Sequence, residues 1–268
     1  MRRLCSPLIK TKIHPTAIID KKAKLDTSVE IGAYSVIGAD VKVSKGTQIM
    51  NHVTLSGNIR IGERCVIYPG ACIGVSPQVR NKKFTETSLV VGNDNVIREY
   101  ATISTGIVEG SQTSVGDHNY LMAGVHVGHD CHLGNDITIA NGTVLGGHVI
   151  IEDHATLSGL VGVHQYVRIG KLSMTGGLSK VTVDVPPYSI CDGHPAKFYG
   201  VNSVGLKRAG MTSKDAALLR QIFRILLKAG TKISDEIPKL RKEYKNNVHA
   251  EAVFYFLSAS ERGFCRVE

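Results

Sequence analysis

Four histidines, His126, His129, His148 and His164, crowd one central stretch of a 268-residue chain. Imidazole titrates near neutrality, which suits it to take a proton from a hydroxyl as that hydroxyl attacks an acyl carbonyl. His129 is followed directly by Asp130, a carboxylate able to orient the ring and stabilise its protonated form, as in triad chemistry. Neighbouring side chains in a strand point to opposite faces, so the pairing requires a corner at 129–130. The tetrahedral intermediate of such a reaction also needs an oxyanion donor. Gly147 could supply a backbone N–H with no side chain in the way. Surface imidazoles are commonly incidental, and the chain has eleven; it is the crowding of four that points to a site. Zinc binding is the rival reading of such a cluster, although no HxxH spacing with a third ligand stands out.

A repeat is what must bring these residues together. Every sixth residue from Ile13 to Ile73 is aliphatic, and the same phase returns at Val91, Ile97 and Ile103. It then runs unbroken from Val115 to Ile169 and last shows at Val181. Neither the 3.6-residue period of a helix nor simple strand alternation singles out every sixth position. The pattern reads as a left-handed parallel β-helix of hexapeptide repeats, a triangular prism in which each hexad makes one short strand and one corner. The aliphatic residue points inward, and residues tolerant of positive φ make the turn. Three hexads close a coil of 18 residues, and coils stack about 4.8 Å apart. Between residues 13 and about 186 this gives nine or ten coils. Residues 75–90 and 104–114 interrupt the pattern, but each interruption spans a multiple of six. They are therefore loops on the scaffold and not domain boundaries, and such loops often carry function.

Stacking at 18 places His129 under Gly147, Gly147 under Gln165, and Asp130 under His148. A base and an oxyanion donor would then sit one coil apart. The prism, residues 1–200, ends near Val185-Pro186-Pro187. Residues 201–268 read as a small C-terminal α-helical domain able to cap its open end. Thr212-Ser213-Lys214-Asp215 is a capping box, with Ala217, Leu218, Ile222, Ile225, Leu226 and Ala229 as the apolar face and Gly230 closing the helix. Further helices are expected from near Ser234 and around Ala250, Val253, Phe254 and Leu257.

Composition sets outer bounds. A net charge of +9 favours acidic partners, but no compact Lys/Arg run with interleaved aromatics argues for nucleic acid. The six cysteines form no CxxC pair and read as reduced thiols filling core. MRRLCSPLIKTK lacks the apolar stretch of a signal peptide, and no run of 18 apolar residues could cross a membrane. A cytoplasmic protein with no stable membrane insertion is expected.

Residues 123–135 (AGVHVGHDCHLGN), 146–170 (GGHVIIEDHATLSGLVGVHQYVRIG) and 184–210 (DVPPYSICDGHPAKFYGVNSVGLKRAG) resemble the UDP-N-acetylglucosamine 3-O-acyltransferases, the first enzymes of lipid A biosynthesis. The resemblance runs from residue 13 into the helical tail. It implies a homotrimer with clefts between subunits, and transfer of a long 3-hydroxyacyl chain from acyl carrier protein to the sugar 3-hydroxyl. No cofactor is implied beyond the phosphopantetheine of the carrier protein, and no metal. His129 would be the general base, Asp130 its orienting partner and the Gly147 amide the oxyanion donor. His126, His148, His164 and Gln165 would contact substrate, and Asn202 and Arg208 would lie near the nucleotide or the pantetheine arm. Gly177 occupies the position that limits acyl length, and a glycine there implies a deep groove. Acyl carrier protein is strongly acidic, which gives the basic tail a partner.

The chain departs from the family where an Asp-x-Lys contacts the sugar, since Val79 and Asn81 fall there, with Arg80, Lys82 and Lys83 nearby. Ser104-Thr105-Gly106 replaces His-Arg-Gly. Both changes lie on the substrate side and leave open a 3-amino UDP-sugar acceptor. Other readings are a related N-acyltransferase, for whose N-terminal uridine-binding domain the hexads leave no room, a zinc enzyme on the same prism, and a non-catalytic scaffold.

Overall fold

A computed structural model describes residues 12–80, 86–228 and 230–267. Its body is a left-handed parallel β-helix with three faces. The first face runs from Ile18–Ile19 to Lys180–Val181 in nine strands, and the second from Lys24–Leu25 to Arg168–Ile169 in eight. The third starts at Glu30–Ile31, passes Met174–Thr175 and ends in the hairpin Ser189–Gly193/Ala196–Val201, ten strands in all. Most strands are two residues long because the outer residue faces solvent and the inner one fills the prism. In Val36–Ile37, for example, Val36 is exposed and Ile37 buried. The inner aliphatics form one continuous core along the axis. Each coil buries them only against its two neighbours, so stability accumulates coil by coil.

The register follows the predicted 18-residue step, as in Ile18↔Val36 and His126↔Val144. It widens twice. Cys72 pairs with Thr102 and Thr102 with His126, steps longer by twelve and by six residues. Both extra segments leave the corner between the first and second faces, just after Cys72–Val75 and Thr102–Ser104. They are loops that leave the helix phase intact, and they sit in the coils immediately below His129.

The hairpin at residues 189–201 was not legible as hexads. It closes the third face by antiparallel pairing. Four helices follow: α1 (Ser203–Arg208), α2 (Ser213–Leu226), α3 (Ile233–Glu243) and α4 (Val248–Ser258). The capping box at Thr212 and Asp215 starts α2, but the helix ends at Leu226 with Leu227 as its cap, short of Gly230. Its buried stripe is Ala216, Leu219, Ile222, Phe223 and Leu226, one position off the expected face at Ala217 and Leu218. Ala229 lies outside the described residues. The helices share a core with Tyr188 and pack on Leu172 and Phe198 at the top of the prism. Beyond α4 the chain returns to the prism, where Cys265 N–H donates to the Asp184 carbonyl. Cys65, Cys131, Cys191 and Cys265 are buried thiols and Cys72 is half-buried, all free; Cys5 lies outside the described residues. Among the described residues no helix is long and apolar enough to cross a membrane.

Candidate active site

The corner that the His129–Asp130 pairing requires is present. Asp130, His148 and Tyr166 occupy successive coils of the edge between the first and second faces, all left-handed, with φ of 57°, 61° and 63°. Asp and His enter this conformation more readily than most residues, which lets a corner carry reactive side chains. The turn brings His129 Nδ1 to 2.8 Å from Asp130 Oδ2, with the two side chains only 12% and 7% exposed. Asp130 accepts as Nδ1–H donates, so Nε2 keeps its lone pair for a proton.

Asp130 is held from every side. Its amide donates to Thr113 Oγ1 at 2.8 Å, and its Oδ2 accepts from the Ile107 amide at 3.2 Å. His148 Nε2 lies 3.7 Å from the same oxygen. Burial pushes the Asp130 carboxyl toward neutrality, but hydrogen bonds from Ser111 and His129, with the fields of His148 and His129, more than offset this. Its pKa is lowered below the usual carboxylate value. The His148 ring crosses that of His129 edge-on at 5.1 Å and stacks flat on Tyr166 at 4.5 Å.

Gly147 lies over His129 as the 18-residue step predicts. A Cβ at Gly147 would collide with the His129 ring, so glycine is what gives the imidazole room. Among the described residues its amide has no backbone hydrogen-bond acceptor. Gln165 lies one coil higher, its stem against Gly146. His126 stands on the outer side of the first face, and its Nδ1 is bonded to Thr102 Oγ1 at 2.7 Å. Burial first, and the neighbouring His129 second, lower its pKa and favour the neutral ring. His164 is exposed, with Nδ1 3.2 Å from Arg262 Nη2. The same Nδ1 also lies 3.3 Å from the Gln165 carbonyl.

The remaining predicted residues do not join this cluster within one chain. Asn202 is buried as the N-cap of α1, accepting from Gly205 N–H and donating to the Leu172 carbonyl at 2.9 Å. Leu172 belongs to the edge between the second and third faces. Arg208 is exposed in the last turn of α1. Gly177 is exposed on the edge between the third and first faces, where an added Cβ would meet only ordinary contacts, the nearest at 3.5 Å. Val79 is exposed, and Asn81, Lys82 and Lys83 lie outside the described residues. Ser104 and Thr105 are buried, and Thr105 Oγ1 accepts from Thr87 at 3.0 Å. Sequence reasoning missed Ile107, Ser111 and Thr113 around Asp130, as well as Thr102, Tyr166 and Arg262. The position of the 104–114 interruption, one coil below His129, was the available signal for the first three.

The arrangement can move a proton at His129 Nε2 and offer an N–H one coil above. His129, Asp130 and His148 also bring ligand atoms within 4.8 Å of one another, a donor set that could hold a metal ion.

A prism of hexapeptide coils with a buried His–Asp pair on one edge defines the class of hexapeptide transferases. The bacterial transferase hexapeptide model matches residues 112–147, and the second-domain model of UDP-N-acetylglucosamine O-acyltransferase matches residues 184–265. An acyl-(acyl-carrier-protein)–UDP-N-acetylglucosamine O-acyltransferase of Thermodesulfovibrio yellowstonii is 43% identical, over 95% of this chain and 99% of its own. Among solved structures, the UDP-N-acetylglucosamine acyltransferase of Francisella novicida superimposes with a TM-score of 0.90 at 35% identity, covering 95% of this chain and 94% of that one. The O-acyltransferase of Moraxella catarrhalis gives 0.92 at 34% identity, covering 96% and 100%. The chain belongs to the family of UDP-N-acetylglucosamine O-acyltransferases that use acyl carrier protein.

Proposed function

We propose that the chain transfers a long 3-hydroxyacyl group from acyl carrier protein to the 3-hydroxyl of UDP-N-acetylglucosamine, the first step of lipid A biosynthesis, with His129 as general base. The observation that carries this reading is the 2.8 Å bond from His129 Nδ1 to the buried Asp130, which leaves Nε2 able to take a proton. The sugar hydroxyl gives that proton to Nε2 as its oxygen bonds to the thioester carbon. The carbonyl oxygen gains negative charge and accepts a hydrogen bond that the Gly147 amide is disposed to donate. Collapse of the intermediate breaks the carbon–sulfur bond, and the proton on Nε2 goes to the departing pantetheine thiolate. His126, His148, His164 and Gln165 contact the substrates.

The working unit is a homotrimer in the cytoplasm. Two observations support self-association. The predicted ligand residues Gly177 and Asn202 stand on other edges of the prism than His129, so a neighbouring copy is needed to place them beside it. The edge between the third and first faces exposes Tyr34, Tyr100, Leu160 and Leu178, each 60% or more accessible, an apolar column of the kind that seeks a partner. Arg220 and Arg224 lie at helical spacing on the exposed side of α2, and exposed Lys228 follows just past its end; together they suit the acidic carrier protein.

The test incubates the protein with 3-hydroxyacyl carrier proteins of several lengths, offering UDP-N-acetylglucosamine and its 3-amino analogue, and reads products by mass spectrometry. A 3-O-ester bearing a long chain is expected. No acyl product, or an amide formed in preference to the ester, contradicts the reading.

A further inference from the structure

Beyond α4 the chain crosses back to the edge between the first and second faces, the edge that carries His129. It docks there on Asp184. The Asp184 amide donates to the Gly263 carbonyl at 2.9 Å, and the Cys265 amide donates to the Asp184 carbonyl at 2.8 Å. Ser260 Oγ lies 2.8 Å from Asp184 Oδ2. Arg262 therefore leaves a backbone that is tied down on both sides. Its guanidinium spans two successive coils. Nη2 lies 3.2 Å from His164 Nδ1, and Nη2 and Nε donate to the Thr182 carbonyl at 3.3 and 3.4 Å. Thr182 stands one coil above His164, since Val163 pairs with Val181. A residue 98 positions away in the chain thus faces one of the imidazoles of the site.

We propose that Arg262 is a positioning residue of the acyl transfer: it holds the His164 ring with Nδ1 as acceptor, so that Nε2 presents its hydrogen to the bound substrate. The inference rests on the reading of His164 as a substrate contact. Two groups compete for Nδ1, the guanidinium and the Gln165 carbonyl at 3.3 Å. A guanidinium can only donate and a carbonyl can only accept, so one nitrogen cannot satisfy both. The guanidinium is charged at every working pH, and a bond from a charged donor is the stronger of the two. A hydrogen on Nδ1 would also point at a cation. With Arg262 in place, Nδ1 stays bare and Nε2 carries the hydrogen. Without it, Nδ1–H turns to the Gln165 carbonyl and Nε2 meets the substrate as an acceptor. Arg262 thus sets the polarity of the hydrogen bond that His164 offers, and its effect falls on substrate binding and not on the proton transfer at His129.

The test is a double-mutant cycle in the full chain, with kcat and both KM values measured for Arg262→Ala, His164→Ala and the double variant. Arg262→Ala is expected to raise KM for at least one of the two substrates about tenfold and to leave kcat within about threefold. In the His164→Ala background the same change should cost less than about twofold, because no ring remains to be held. Arg262→Gln keeps most of the stem without the cation. It should behave like Arg262→Ala, and it carries the test if the alanine variant does not fold. Wild-type KM values for both substrates in Arg262→Ala and Arg262→Gln would overturn the proposal. So would an equal loss from Arg262→Ala with and without His164, which would reduce Arg262 to docking the tail. Failure of the underlying reading is separately visible as wild-type KM values for both substrates in His164→Ala.

Discussion

Two His–Asp pairs lie on two edges of the same prism, and only one of them is built as a site. His129–Asp130 is closed to 2.8 Å and nearly sealed from solvent. His154–Asp136 uses the same residue types, and both residues sit at left-handed corners, at φ of 60° and 55°. Its atoms are 3.8 Å apart, and its side chains are 53% and 47% exposed. The corner geometry is therefore common property of the fold. What differs is the surroundings. The first pair has a loop folded against it, a donor from the Ile107 amide, and the flank of His148; the second is an ordinary exposed contact in water. Residue type and corner position offer chemistry, and burial with matched hydrogen bonds turns the offer into a base.

That contrast can be broken experimentally. The largest effect is expected at the ring itself: His129→Ala should lower kcat by about 10⁴-fold while the assembly stays intact, with His154→Ala within about twofold of wild type in the same assay. Next comes Gly147→Ala, whose methyl would displace the His129 ring and disturb the N–H above it; a loss of about 10²–10³ in kcat is expected, with little change in the melting temperature of the prism. A smaller effect concerns stability and pH. The folded pKa of Asp130 is lowered, so the native state holds its proton less tightly than the unfolded chain does. Its contribution to stability is present above the unfolded value of about 4 and is lost as pH falls through the folded value. Asp130→Asn should then melt earlier than wild type at pH 7, and the gap should narrow as the pH falls below about 4, whereas Asp136→Asn should match wild type at pH 7. The smallest effect is the energy of the exposed pair: a double-mutant cycle on His154 and Asp136 should give less than about 0.5 kcal/mol.

Much of the fold could be read from spacing alone, because a solenoid writes its geometry in sequence. The six-residue phase gave the three faces, and the 18-residue step put Gly147 over His129 as the register bears out. The hairpin at 189–201 and the short α1 escaped, because they follow the last hexads and obey no period. The face of α2 was misplaced by one position, since Ala217, Leu218 and Ile225 fit an apolar stripe about as well as Ala216, Leu219 and Phe223. Around the site the pattern of success is similar. Residues inside the repeat could be stacked on paper. The Ile107 amide that donates to Asp130 sits in a loop, whose path depends on tertiary contacts that no period encodes. Asn202 seemed a ligand by motif, yet in one chain its side chain is engaged in capping α1 and holding Leu172.

The most direct test of the account is the kcat of Asp130→Asn beside that of Asp136→Asn, both measured with saturating acyl carrier protein substrate and UDP-sugar. Asparagine keeps the shape of the side chain but cannot hold the Nδ1–H tautomer or stabilise the imidazolium. If the buried pair is the base, Asp130→Asn loses about 10³-fold or more and Asp136→Asn is unchanged within about twofold. Loss of less than about tenfold in Asp130→Asn, or an equal loss in both variants, would contradict it.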